Sequence, residues 1–315
     1  MMTKPKCVRT GVFVAALVMA AISEVWASAP NAPRVPAQMV ITVQPAHQGS
    51  ATPVVLGTGD LTVSQGNTRV PIVRLQRLAG SLADMQLFVF LDDSTRSSSL
   101  GLQLPELRTF LESLPATTQL GVGYMRNGGV ALAQAFTTDR RKAASALRLP
   151  EAVPGENASP YFALSVLVKQ WPSKEPTGRR AVLLFTDGVD RYFTDPDVMD
   201  DPYVDTAIAD ALRNGVTVYS IYLRGAGLYG TGDWMTSMAQ SRLIKVSQQT
   251  GGYAYQEDFT DPFSLTPFLS DFLDRLNHQY KVTFEALSEH GVQPVKLRTE
   301  LPGLKIEGPS RIYVR

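Results

Sequence analysis

Hydrophobic and polar positions alternate between two regimes along the chain. Short unbroken apolar runs mark the middle, and period-two alternation marks both flanks. Leu87-Phe88-Val89-Phe90-Leu91 is one unbroken run, and it stops abruptly at Asp92-Asp93-Ser94-Thr95. Ala181-Val182-Leu183-Leu184-Phe185 is a second, stopping at Thr186-Asp187-Gly188. Runs of this length bounded by turn residues predict strands buried on both faces, as in a parallel sheet. Val216 to Ile221 and the short Tyr253-Ala254-Tyr255 add further strands.

Helices fall between them. One begins at Pro105 and ends near Pro115, and one capped by Thr138-Asp139 runs to Leu147. Apolar stripes at one-face spacing predict four more: Leu164, Leu167, Val168 and Trp171; Val204, Ile208 and Leu212, stopped by Asn214-Gly215; Met235, Ala239, Leu243 and Val246, closed by Thr250-Gly251-Gly252; and Leu265, Phe268, Leu269, Phe272 and Leu276. Gln119–Met125 and Val130–Phe136 flank Arg126-Asn127-Gly128-Gly129, and Asn-Gly between alternating runs predicts a hairpin. The sum is a doubly wound α/β domain over 84–279, mostly parallel, with one antiparallel edge strand and helices on both faces.

The flanks alternate instead. Residues 38–80 carry Val40-Ile41-Thr42-Val43, Pro53-Val54-Val55-Leu56, Leu61-Thr62-Val63 and Thr68-Val70-Ile72, which predicts an N-terminal β unit. Residues 280–315 carry Val282-Phe284, Val295-Leu297, Ile306 and Ile312-Val314, a C-terminal β appendage able to pair with the first unit. The Ala- and Pro-rich residues 28–37 read as a flexible lead-in. Ahead of them, Lys4, Lys6 and Arg9 precede the apolar run Val12–Ile22, and small residues end at Ala27. That order is the pattern of a secretory signal peptide over 1–27, with an uncleaved anchor as the alternative.

Composition changes the picture in two ways. Removing 1–27 takes away three basic residues and one acidic residue, so the formal charge goes from +1 to −1. A chain without a basic surplus is a poor nucleic-acid binder. The one cysteine, Cys7, goes with the leader, so the remainder has no disulfide although it is expected to be periplasmic or secreted.

Candidate chemistry sits at the strand ends. In open α/β sheets ligands bind beyond the carboxyl ends of the strands, and two such strands ending in Asp offer hard oxygen ligands for a hard cation such as magnesium. On these residues the chain resembles the von Willebrand factor type A (VWFA) domain, whose first strand ends in Asp-x-Ser-x-Ser and whose later strand ends in Asp before Gly. The resemblance implies a metal-ion-dependent adhesion site formed by Asp92, Ser94, Ser159 and Asp187, holding Mg2+ or Mn2+. It also implies a partner protein that completes the metal shell with an acidic side chain. Further stretches are similar to the VWFA-related family found in acidobacterial genomes: Ser159-Pro160-Tyr161-Phe162-Ala163-Leu164, Asp187-Gly188-Val189-Asp190, Asp200-Asp201-Pro202-Tyr203-Val204, Val218-Tyr219-Ser220-Ile221-Tyr222 and Asn277-His278-Gln279-Tyr280.

One position departs from the motif. Arg96 stands where the second Ser belongs, and a guanidinium cannot ligate a cation. Either Ser97 takes the role, or the register is Asp93-x-Thr95-x-Ser97, or the site is metal-independent with Arg96 in the cation's place. Ser159, followed by Pro160, is either a ligand or a plain helix cap, and Asn157 is its rival. The acidic run from Asp195 to Asp201 lacks calcium-hand spacing and reads as a solvated loop. A hydrolase is the least favoured function. Of His47, His278 and His290, none sits beside the Ser-Asp cluster, and no Gly-x-Ser-x-Gly elbow surrounds Ser94.

Overall fold

A computed structural model describes residues 33–45, 55–156, 159–193, 200–225 and 232–315. In chain order the N-terminal strands are β1 (Arg34–Pro45), β2 (Leu61–Gln65), β3 (Thr68–Val70) and β4 (Ile72–Arg77). There follow β5 (Met85–Asp92), α1 (Ser97–Gly101), α2 (Leu104–Ser113), β6 (Thr118–Arg126), β7 (Gly129–Thr137), α3 (Arg140–Ser145) and α4 (Pro160–Lys169). The α/β part is completed by β8 (Arg179–Thr186), α5 (Pro202–Asn214), β9 (Val216–Tyr222), α6 (Asp233–Gln249), β10 (Ala254–Tyr255) and α7 (Thr266–Asn277). The tail forms β11 (Gln279–Leu287), β12 (Gly291–Thr299), β13 (Leu304–Glu307) and β14 (Arg311–Val314). No described helix is long and apolar enough to cross a membrane.

The central sheet has the order β10-β9-β8-β5-β6-β7, and β7 alone runs antiparallel. Its inner strands carry unbroken apolar runs, Leu87–Leu91 in β5 and Ala181–Phe185 in β8, because both faces are covered. Leu87, Val89 and Leu91 enter one core with Leu107, Phe110 and Phe272. Phe88 and Phe90 enter the other with Leu164, Ile208 and Leu243. The β6–β7 turn needs two left-handed residues, and Asn127 and Gly128 supply them at φ 50° and 67°.

The flanks form one two-sheet sandwich. β13-β1-β11-β4 is one sheet and β14-β12-β2-β3 the other, and both bury side chains in a shared core of Met39, Ile41, Val63, Val282, Phe284 and Ile312.

Two local expectations differ from the structure. β1 starts at Arg34, inside the stretch read as a flexible lead-in. Pro36 does not break it, because β13 pairs only with Thr42–Pro45 and the missing N–H at Pro36 falls on an unpaired edge. Val55 and Leu56, expected in a strand, lie in irregular backbone. The expected signal peptide at 1–27, His47, Asn157 and the acidic loop at Asp195 and Asp197 lie outside the described residues.

Candidate functional site

β5 and β8 are parallel neighbours, with Leu91 opposite Phe185, so Asp92 and Thr186 end the two strands side by side. Thr186 donates to Asp92 Oδ2 at 2.8 Å. On the other oxygen, Oδ1, Asp92 accepts from the Ser94 amide at 2.9 Å and the Ser94 hydroxyl at 2.7 Å. Asp92 is buried, and burial together with the charge of Asp187 pushes its carboxyl up, against these three hydrogen bonds.

Asp187 opens the next turn. Gly188 follows it at φ 70°, and a Cβ there would lie 2.9 Å from the Ala239 carbonyl of α6, so only glycine fits. Its carbonyl accepts from the buried Tyr161 hydroxyl at 2.8 Å. This turn folds the chain back and brings Arg191 onto Asp187. Arg191 Nη2 reaches Asp187 Oδ2 at 2.6 Å, with the two side chains 5% and 3% exposed. Burial opposes the guanidinium charge, but Asp187, and then Asp92 and Asp190, hold it more firmly protonated than usual.

The four candidates are therefore not one cluster of free ligands. Asp92, Ser94 and Asp187 share the strand-end edge, but Ser159 caps α4 by accepting from the Phe162 amide at 3.1 Å and donates to Asp190 at 2.6 Å. Asp190 also accepts from the amides of Tyr192 and Phe193. Burial first, and the neighbouring Asp201 charge, push its carboxyl up to about 6. Asp201 in turn pairs with the buried Arg242 at 3.3 Å. Asp92, Asp187, Asp190 and Asp201, all buried, thus face Arg191 and Arg242 at this end of the sheet.

The alternative registers fail on their partners. Asp93 belongs to Arg148, which grips it at 2.7 and 3.2 Å, and it also accepts from the Glu151 amide. Thr95 bonds the Asp92 carbonyl, and Ser97 bonds the Pro150 carbonyl. Their work is to pin the loop ahead of α4, aided by Ala152 and Gly155 amides on the Asp93 and Ser94 carbonyls. Arg96 is not the cation substitute either. It is half-buried at the start of α1, with no ion pair among the described residues. The guanidinium that stands against a strand-end carboxylate is that of Arg191, which sequence reasoning passed over together with Thr186 and Asp190. The available signal was Thr186-Asp187-Gly188-Val189-Asp190-Arg191 itself: a polar strand end, a turn glycine, and a cation four residues past the carboxylate.

Because Arg191 already stands against Asp187, the site as arranged does not fit a divalent cation beside the same carboxylate; two positive groups would share it. His278 ends α7 next to Leu276, whose carbonyl Arg179 holds at the opposite end of the strands.

Around this polar centre the surface is aromatic. Phe162 and Tyr192 are 41% and 37% exposed, and their rings meet each other and Tyr203 edge to face at 5.8–6.4 Å. They sit over Gly128 at the hairpin tip, where a Cβ would come 2.7 Å from the Tyr192 hydroxyl.

The sheet order, the single antiparallel edge strand and the paired strand-end aspartates give the α/β domain the architecture of a von Willebrand factor type A domain. No protein-family model matches the chain, and no curated protein does. Among solved structures, it is similar to an aerotolerance-related membrane protein of Bacteroides fragilis (13% identity, TM-score 0.41, 61% of this chain and 98% of that one). It is also similar to BatB of Bacteroides thetaiotaomicron (13%, 0.43, 61% and 97%). A third is proximal thread matrix protein 1 of the mussel byssus, solved with a zinc-occupied adhesion motif (15%, 0.44, 63% and 46%).

The Asp190 pocket has a pH signature. The folded state holds the Asp190 proton between its ordinary value of 3.8 and about 6, where the unfolded chain has released it. This group's contribution therefore makes stability fall as pH rises through that window. Urea midpoints of Asp190→Asn and wild type, compared at about pH 4 and about pH 7, are expected to show a smaller fall in the variant. Parallel profiles would refute the assignment.

Proposed function

We propose that this chain is an exported, non-enzymatic protein-binding module. Its contact face is the strand-end face of the type A domain, and its positive charge is built in as Arg191 rather than supplied by a bound metal ion. The carrying observation is the buried Arg191–Asp187 pair at 2.6 Å. It satisfies the carboxylate that a metal-dependent site would use. The exposed Phe162 and Tyr192 suit this reading, because rigid aromatics beside a polar centre are the usual anchors of protein interfaces. Export rests on the basic and apolar residues of 1–27.

A second reading keeps Mg2+ or Mn2+ with Asp92, Ser94, Ser159 and Asp187, completed by a partner's acidic side chain. The excess of buried aspartates over arginines favours it, but it requires Arg191 to leave Asp187.

Crosslinking of the wild-type chain in its native extract tests the proposal. A discrete adduct is expected that persists in EDTA and is lost in the Phe162→Ser/Tyr192→Ser variant. An adduct abolished by EDTA, or retained by that variant, contradicts it.

A further inference from the structure

A second site lies far from the strand-end face. A cavity of about 440 Å3 opens where the sandwich meets the start of β8 and the end of α5. Its walls include Met39 and Lys281 of one sheet, Ile312 and Tyr313 of the other, and Thr217 of the α/β domain. Arg179, Arg180, Lys281, Arg311 and Arg315 line it, and its described lining contains no Asp or Glu.

The cations of this cavity contrast with those that the chain holds in ion pairs. Arg34, Arg148, Arg191, Arg242, Lys245 and Arg275 each have a carboxylate partner, whereas Arg179, Arg180, Lys281 and Arg311 have none among the described residues. Arg179 is only 9% exposed. It spends Nη1 on the Leu276 carbonyl and Gln279 Oε1, and its Nε is buried with no partner. Arg180 is half-buried, reaches the Asn214 carbonyl at 3.4 Å and lies over the Trp171 ring at 5.8 Å. Burial pulls both guanidinium pKa values down, in Arg179 against the opposing pull of Tyr219 and Asp84.

We propose that this cavity binds a small ligand carrying two or more negative charges as phosphate or carboxylate groups. The volume suits a small molecule. Arginine forks match both oxyanion types in bidentate fashion, and burial between two walls strengthens each contact. Bound there, the ligand would tie the sandwich to the α/β domain.

Calorimetric titration of the full chain with inorganic pyrophosphate, and separately with citrate, at matched ionic strength, tests this. Saturable one-to-one binding is expected, weakened at least tenfold by Lys281→Glu/Arg311→Glu. Both positions are accessible strand residues, so the variant's fold is checked by circular dichroism; Lys281→Gln/Arg311→Gln serves if it fails. Binding of pyrophosphate alone identifies a phosphate ligand, and of citrate alone a carboxylate ligand. No saturable binding of either, or binding unchanged in the variants, overturns the proposal. A decaglutamate peptide that binds more tightly than both overturns the small-ligand form of it.

Discussion

Arg191→Ala is expected to cost about 3–5 kcal/mol, the usual effect of removing one partner from a buried ion pair. The loss does not come from the pair's own attraction, which desolvation largely offsets. It comes from leaving Asp187 buried without its counter-charge, next to the Asp92 carboxyl that Asp187 already pushes up. Asp187→Asn/Arg191→Met, which removes both charges, should recover most of the loss. Chemical denaturation of the three proteins checks this. If the single variant is as stable as wild type, Arg191 does not neutralise the site.

Phe88→Ala is expected to cost a similar 3–5 kcal/mol, lowering the melting temperature by roughly 10 °C. The Phe88 ring is fully buried and meets Phe90, Phe136 and Trp171 at 5.8–6.2 Å. The neighbouring strand makes room for it. A Cβ at Gly121 or Gly123 would lie 2.6 or 2.8 Å from ring atoms of Phe88. Gly121→Ala should therefore be harmful in wild type and much milder in the Phe88→Ala background. A double-mutant cycle reads this directly, and additive effects would show that glycine and ring are not coupled.

These two sites show what the sequence could and could not disclose. The strand at Phe88 was legible because burial on both faces removes alternation, and Asn127-Gly128 announced its hairpin because few other pairs take two left-handed residues. The strand-end position of Asp92 and Asp187 followed from the same apolar runs. The partners of those carboxylates were not legible. Arg191 reaches Asp187 only because Gly188 folds the turn back at φ 70°. Asp93 meets Arg148 only because the loop ahead of α4 crosses the strand end, 55 residues later. Arg96 drew attention by occupying a motif position, yet motif spacing fixes where a backbone goes, not which side chain wins a buried carboxylate. The sandwich was half visible. Alternation marked its strands, but their pairing depends on contacts between chain ends more than 200 residues apart, such as Met39 with Val282 and Val63 with Leu297.

Fixed charge in place of a bound ion has a consequence for the contact face. A metal-dependent face is switched by cation supply, whereas one built on Arg191 keeps its charge at any metal concentration. The direct measurement is thermal unfolding of the wild-type chain and of Arg191→Ala across magnesium and manganese. A cation bound only by the folded state must raise the melting temperature by mass action. The expected result is a flat response in wild type and a metal-dependent rise in Arg191→Ala, where Asp92 and Asp187 are left without their guanidinium. A rise in wild type that Asp187→Ala abolishes would contradict the account and establish a metal site.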